Sequence, residues 1–313
     1  MKKFLRILLV IVIVLIAVPV LYLAFRPSLI IPKAEIKKRY TLPSSHFTTW
    51  RGSEIHYTDE GSGPTLLLIH GFGGHHRNFN KLAAAMKDKY RVIRVDLPGF
   101  GMSDCPAVDP ARPRYADMYR DFMKFFVDTA VGIDSMYVVG NSMGGMVAWN
   151  MAAQAPEKIR KLVLLNSAGY DLEKTANGLF IIKYKGFRKI FDKGMPLKIS
   201  EGNAAKVYAR PELMDHNEII INNAIGNREG NLTHMLNMAA DRDFPDTALI
   251  KQVQCPTLIV WGVQDKIINP DHAQRFKRDL PNSKLVIYDP CGHVPMIERT
   301  EDTKRDIEAF FTE

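Results

Sequence analysis

Met136-Tyr137-Val138-Val139-Gly140-Asn141-Ser142-Met143-Gly144-Gly145-Met146-Val147-Ala148 joins a strand pattern to a helix pattern through a glycine-flanked serine. Met136 to Val139 is a short apolar run with two β-branched residues, the pattern of a buried strand. Met143 to Gln154 reads as a helix. Between them stands Gly140-Asn141-Ser142-Met143-Gly144, which fits G-x-S-x-G. In a strand-turn-helix setting that pattern marks a sharp turn that lifts a serine clear of the sheet. Side chains two before and two after the serine would crowd such a turn, which accounts for Gly140 and Gly144. The helix that follows points its positive end at any anion forming there. Ser142 is therefore the candidate nucleophile.

Working outward, the rhythm is strand, helix, strand, helix. Upstream, Phe47–Trp50 and Glu54–Tyr57 alternate and meet through Gly52-Ser53, a hairpin signal. Thr65–Ile69 and Arg91–Val95 read as buried strands and Phe79–Met86 as a helix, with a long helical pattern over about Tyr115–Val131. Downstream come strands at Lys161–Leu165, Thr257–Trp261 and Lys284–Tyr288. Helices are expected near Asp271–Leu280 and, closing the chain, over Glu298–Phe311. This order predicts an α/β fold with a mostly parallel sheet and helices on both faces. The rhythm breaks over residues 170–245, which read as a helical cap above the edge where open α/β sheets place ligands. The core is then 46–169 with 246–313.

A serine hydroxyl needs a base, and the base needs an orienter. His293 follows the last predicted strand in Asp289-Pro290-Cys291-Gly292-His293 and fits the base role. Asp265 follows the preceding strand in Trp261-Gly262-Val263-Gln264-Asp265 and fits the orienter. The order Ser, Asp, His is one such a fold uses. The loop after Leu165 offers no rival acid, only Asn166 and Ser167, and Asp289 lies too near His293 in sequence. His70-Gly71-Phe72-Gly73-Gly74 is a glycine-rich loop after a strand. Its Phe72 amide and that of Met143 are the candidates for holding a developing oxyanion. His70 reads as a loop organiser, and His75-His76-Arg77 as a solvated helix start.

The 313 residues carry a net charge of +8, yet residues 1–39 hold eight basic residues against one acid, Glu35. The basic excess thus flanks an apolar segment and argues against a nucleic-acid face. That segment, Ile7 to Phe25, is 19 uncharged residues, long enough to span a bilayer as a helix. It lacks a small-x-small cleavage site, so residues 1–26 read as an uncleaved signal anchor with the domain exported. Residues 27–45 read as a linker. Cys105, Cys255 and Cys291 make neither a CxxC pair nor a zinc spacing and read as buried thiols, although one long-range disulfide stays open. Oligomeric state leaves no mark in the sequence.

Over residues 65–313 the chain resembles the α/β-hydrolase superfamily. The resemblance rests on His70-Gly71-Phe72-Gly73, Asp96-Leu97-Pro98-Gly99-Phe100-Gly101, Gly140-Asn141-Ser142-Met143-Gly144-Gly145, Pro256–Gly262 with Asp265, and Gly292-His293 with Glu298. It is similar to bacterial family V esterases and lipases and to membrane-anchored monoacylglycerol lipase-like enzymes. The resemblance implies a serine esterase acting through an acyl-enzyme, with no cofactor or metal, on short-to-medium acyl esters or monoacylglycerols. Leu179-Phe180-Ile181-Ile182 in the cap suits an acyl tunnel or a buried helix face. Two other readings stay open. One is a C–C bond hydrolase of dienoate ring-fission products; the other is a membrane-tethered, non-catalytic binder. The family often has proline after the Glu298-Arg299 position, where this chain has Thr300.

Overall fold

The computed structural model describes residues 2–107, 115–171, 188, 191–241 and 246–313. The strands are β1 (Ser45–Trp50), β2 (Ser53–Glu60), β3 (Thr65–Ile69), β4 (Arg91–Val95), β5 (Met136–Asn141), β6 (Ile159–Leu165), β7 (Thr257–Gly262) and β8 (Ser283–Tyr288). They form one sheet in the order β1-β2-β4-β3-β5-β6-β7-β8. The hairpin β1–β2 is antiparallel, and β2 meets β4 antiparallel; the other pairings are parallel. This is the α/β-hydrolase fold.

Both faces of the sheet are buried, and the pleat explains the continuous apolar runs. Leu67, Ile69, Val138, Leu162 and Leu164 pack into one cluster. Their neighbours Leu66, Leu68, Val139, Val163 and Leu165 pack into the cluster on the opposite face. The chain leaves β3 to build β4 on one side, then returns to build β5 on the other. The crevice between the ends of β3 and β5 is thus the topological switch point, where open sheets hold ligands.

The helices that matter for the site are α1 (Lys2–Phe25), α2 (Lys33–Tyr40), α3 (Asn80–Met86), α4 (Tyr115–Phe125) and α5 (Met143–Gln154). Between β6 and β7 lie α6 (Leu197–Val207), α7 (His216–Gly226) and α8 (Asn231–Asp241). The stretch Leu179–Ile182 lies outside the described residues. The chain then adds α9 (Asp271–Asp279), α10 (Pro295–Glu298) and α11 (Thr300–Thr312). α1 is long and apolar enough to cross a membrane. Its apolar side chains, among them Leu9, Ile13 and Leu21, are exposed.

Two local readings need correction. Residues 27–45 are not a plain linker: α2 docks there, with Ile36 fully buried against Met102 and Ile225. Lys33 pairs with Asp104, and Lys37 pairs with Glu54. A helix held by one apolar side chain and ion pairs has no periodic stripe to announce it. The closing helix is broken at Arg299, whose backbone is non-helical, and restarts at Thr300. The pattern from Tyr115 ends in a π-turn over Phe126–Ala130.

Candidate active site

The elbow forms as steric reasoning demands. Ser142 sits at φ 56° and ψ −120°, a backbone region that a serine occupies only under constraint. A Cβ on Gly140 would lie 2.3 Å from the Gly144 carbonyl oxygen, and one on Gly144 would lie 2.1 Å from that of Ile69. The turn therefore closes only with glycine at both places. Ser142 N–H donates to the Leu165 carbonyl at 3.1 Å, and Ala168 N–H donates to the Ser142 carbonyl at 2.9 Å. These bonds hold the strained turn against the end of β6.

The β3 loop lies against the elbow. A Cβ on Gly71 would come 3.0 Å from Ser142 Cβ. Among the described residues neither the Phe72 amide nor the Met143 amide has a hydrogen-bond acceptor. Met143 opens α5, so its N–H belongs to the unpaired set at a helix N-terminus. Fully buried His70 keeps this loop in place. Its Nδ1 bonds the Gly71 carbonyl at 2.7 Å, and its Nε2 accepts from Leu97 N–H at 3.0 Å. Burial lowers its pKa, in keeping with a neutral ring that accepts through Nε2.

His293 Nδ1 lies 2.8 Å from Asp265 Oδ2, and both side chains are buried. The same oxygen accepts from Asn166 Nδ2 at 2.7 Å. Oδ1 accepts from the Ile267 and Ile268 amides at 2.8 and 3.0 Å. Four donors thus fix the carboxylate, and its claim on Nδ1–H leaves the His293 Nε2 lone pair for another proton. Asn141 Nδ2 donates to the His293 carbonyl at 3.0 Å, which brings the histidine loop beside the elbow. No hydrogen bond joins Ser142 to His293 in this state; such bonds commonly tighten only around substrate.

Asn141, Asn166 and Glu298 do the positioning that the sequence alone did not assign. Asn166 occupies φ 45°, a conformation asparagine tolerates better than most residues, and from there its amide reaches Asp265. Glu298 accepts from Gly292 N–H at 2.8 Å and from Ala209 N–H at 2.9 Å. The position after β6 and the acid after the histidine were the only traces of these roles in the chain.

His75 and His76 are not a solvated helix start. Both are buried: His75 Nε2 lies 2.7 Å from Asn222 Oδ1, and Asp96, just past β4, receives His76 through its backbone N–H at 2.6 Å and its ring Nδ1 at 3.1 Å. Asp96 also accepts from His56 Nδ1 at 2.8 Å and Met102 N–H at 2.9 Å. Burial pushes the Asp96 carboxyl up, but the histidines and their hydrogen bonds outweigh it and hold it well below the usual range. His56, His76 and Asp96 are the group among the described residues whose ligand atoms lie close enough to hold a metal. Two amides aimed at the same carboxylate mark it instead as a hydrogen-bonded anion. The three cysteines are free thiols, and burial pushes Cys105 and Cys255 up to about 11 and Cys291 to about 12.

The fold and this edge define a class, and comparison with known proteins agrees. Residues 64–300 match the alpha/beta hydrolase fold family, and the chain belongs to it. It is 33% identical to Lipase 3 of Moraxella sp. (strain TA144), over 80% of this chain and 78% of that one. It is 29% identical to Lipase 1 of Psychrobacter immobilis, over 88% and 86%. It is 26% identical to a 2-hydroxy-6-oxononadienedioate/2-hydroxy-6-oxononatrienedioate hydrolase of Comamonas testosteroni, over 80% and 88%. Among solved structures, a membrane phospholipase A described as a bacterial virulence factor superposes with a TM-score of 0.70 at 27% identity. It covers 100% of this chain and 98% of its own.

Proposed function

We propose that the chain is a membrane-anchored serine hydrolase that cleaves carboxylic esters with lipid-like acyl groups through an acyl-enzyme. The observation that carries this reading is the His293–Asp265 pair at 2.8 Å beside a strained serine at the sheet's switch point. His293 Nε2 takes the Ser142 proton as the hydroxyl oxygen attacks the acyl carbon. Asp265 orients the ring and stabilises the imidazolium. The Phe72 and Met143 amides receive the oxyanion. His293 then protonates the leaving alcohol and activates the water that frees the acid.

Both lipase relatives and the membrane phospholipase A support an ester or lipid substrate. Residues 1–26 are proposed as the anchor, with the domain on the extracytoplasmic side, and residues 170–245 as a cap. The cap reading is supported by α8, which reaches over the oxyanion loop. His234 stacks edge-on with Phe100 at 5.3 Å, Phe100 with Phe72 at 5.8 Å, and Met235 Sδ lies 3.4 Å from where a Gly73 Cβ would stand. The dienedioate hydrolase relative favours a second reading, C–C cleavage with the same triad.

Turnover of p-nitrophenyl esters of increasing chain length, beside Ser142→Ala, tests the proposal. Ser142-dependent hydrolysis that rises with chain length is expected. Activity on a dienoate ring-fission product with none on any ester would select the second reading. Fluorophosphonate labelling confined to Ser142 separates an enzyme from a non-catalytic binder.

A further inference from the structure

The exit of the anchor helix is bonded to the insertion between β6 and β7. Arg26, at the end of α1, is buried and donates to the Lys193 carbonyl at 3.0 Å and to the Gly194 carbonyl. Leu29 N–H donates to the Lys193 carbonyl at 2.7 Å. Ile31 pairs with the insertion like a strand: its N–H donates to the Asn227 carbonyl at 2.9 Å, and its carbonyl accepts from Glu229 N–H at 2.9 Å. Gly194 adopts φ +90°, and a Cβ there would come within 2.9 Å of both Leu29 Cβ and Asn227 Oδ1.

The same end of the insertion carries the start of α6. Asn227 accepts from Met195 N–H at 2.6 Å and donates to its carbonyl at 2.9 Å. Asn223 Nδ2 donates to the Met195 carbonyl at 2.9 Å and to Ser200 Oγ at 2.8 Å. α6 itself has no fully buried residue; Val207 at its far end packs against the core cluster, and Glu201 pairs with His216 of α7. Its far end is held by the histidine loop. His293 N–H donates to the Val207 carbonyl at 2.7 Å, and Glu298 joins Ala209 to Gly292. Gly292 is packed so closely that a Cβ would meet the Val207 carbonyl oxygen at 2.5 Å.

We infer that Arg26 and residues 29–31 position His293 through α6, a strut of about 16 Å at 1.5 Å per residue. One end is fixed by the membrane exit and the other by the histidine loop, so displacement at the strap moves the base. Small displacements of a base lower kcat before they affect binding. The kinetic part of this inference rests on the proposed role of His293; the structural coupling does not.

The test uses the full chain in detergent micelles and a water-soluble p-nitrophenyl ester, so that access to lipid does not enter. Arg26→Ala and Gly194→Ala are expected to lower kcat about fivefold with KM within about twofold, a coupling of ordinary size for packed elements. Arg26→Lys should recover most of the loss. In a cycle with Glu298→Gln, the Arg26→Ala double variant should be slower than the worse single by less than the product of the two losses. Hydrogen exchange supplies a readout independent of turnover. The His293 amide should exchange faster in Arg26→Ala while β5 amides keep their protection. Multiplicative losses, or unchanged His293 exchange in both strap variants, would overturn the strap. Absent Ser142-dependent turnover with faster His293 exchange would instead overturn the esterase reading and keep the strap.

Discussion

Ser45, His56 and Asp96 form a chain of contacts with the same residue types as Ser142, His293 and Asp265. In the first, His56 Nδ1 lies 2.8 Å from Asp96 Oδ2, and His56 Nε2 lies 2.8 Å from Ser45 Oγ. In the second, the histidine–aspartate distance is again 2.8 Å, but the serine makes no hydrogen bond to the ring. By distance alone the Ser45 constellation is the more complete of the two. The surroundings separate them. Ser45 stands on the edge strand β1 and accepts Leu42 N–H at 3.0 Å. Asp96 is shared with a second histidine and two amides. Ser142 stands on a strained turn at a helix N-terminus, beside two amides that have no acceptor among the described residues. A closed network stabilises structure; the donors left free beside Ser142 are what the proposed chemistry needs.

The largest expected effect breaks the comparison outright. Ser142→Ala should lower kcat/KM on a p-nitrophenyl ester by about 10⁴-fold or more, the scale of losing a nucleophile. Ser45→Ala should leave kcat/KM within about twofold and cost on the order of 1 kcal/mol of stability, the scale of one hydrogen bond. Equal losses at both serines would mean that the two constellations had been assigned to the wrong roles.

The two aspartates sharpen it next. Asp265→Asn should lower kcat by about 10³- to 10⁴-fold, because the amide no longer holds His293 in the tautomer that offers Nε2. Its thermal midpoint should fall as well, because the buried carboxylate accepts four donors. Asp96→Asn should show the stability loss without the kinetic one. It breaks a buried charge network and should cost about 3 kcal/mol, read as a lower urea midpoint. The fraction that stays folded should keep kcat within about tenfold of the parent. A stable Asp96→Asn with a large kinetic loss would place Asp96 in the chemistry.

What the sequence made legible follows from how local each feature is. The elbow at Gly140–Gly144 is enforced by clashes within five residues and their nearest strand, so the glycines announce it. The strands β3, β5 and β7 show as apolar runs because both sheet faces are buried, while β4 and β6 carry basic residues within theirs. Asp265 and His293 follow the ends of β7 and β8, where chain order alone suggested their meeting. The burial of His75 and His76 is different. It depends on Asn222 facing His75 and on Asp96, twenty residues on from His76, turning its carboxylate inward, and nothing next to the histidines records either. α2 was hidden because one buried residue, Ile36, makes no period. The roles of Asn166 and Asn141 depend on which atoms face them across the sheet edge, which spacing cannot give.

The smallest effect distinguishes the structural network by pH. Burial lowers the pKa of His70, His75, His76 and His234, to about 3 for His75 and about 4 for His234. An unfolded chain protonates such rings near pH 6.5. Between that value and the folded pKa the unfolded state binds more protons, so stability falls as pH falls. The contribution is intact above about pH 6.5 and is lost progressively down to about pH 4 for His234 and about pH 3 for His75. Asp96, held low in the folded state, adds a further loss below about pH 3.9. At pH 5 each strongly lowered histidine should have cost about 2 kcal/mol relative to pH 7. His75→Gln can keep the bond that His75 Nε2 makes with Asn222 Oδ1 while removing the titration. Its urea midpoint should therefore fall less between pH 7 and pH 5 than that of the parent. An equal fall in both chains would show that His75 does not carry the acid sensitivity and would move it to His70, His76 or His234.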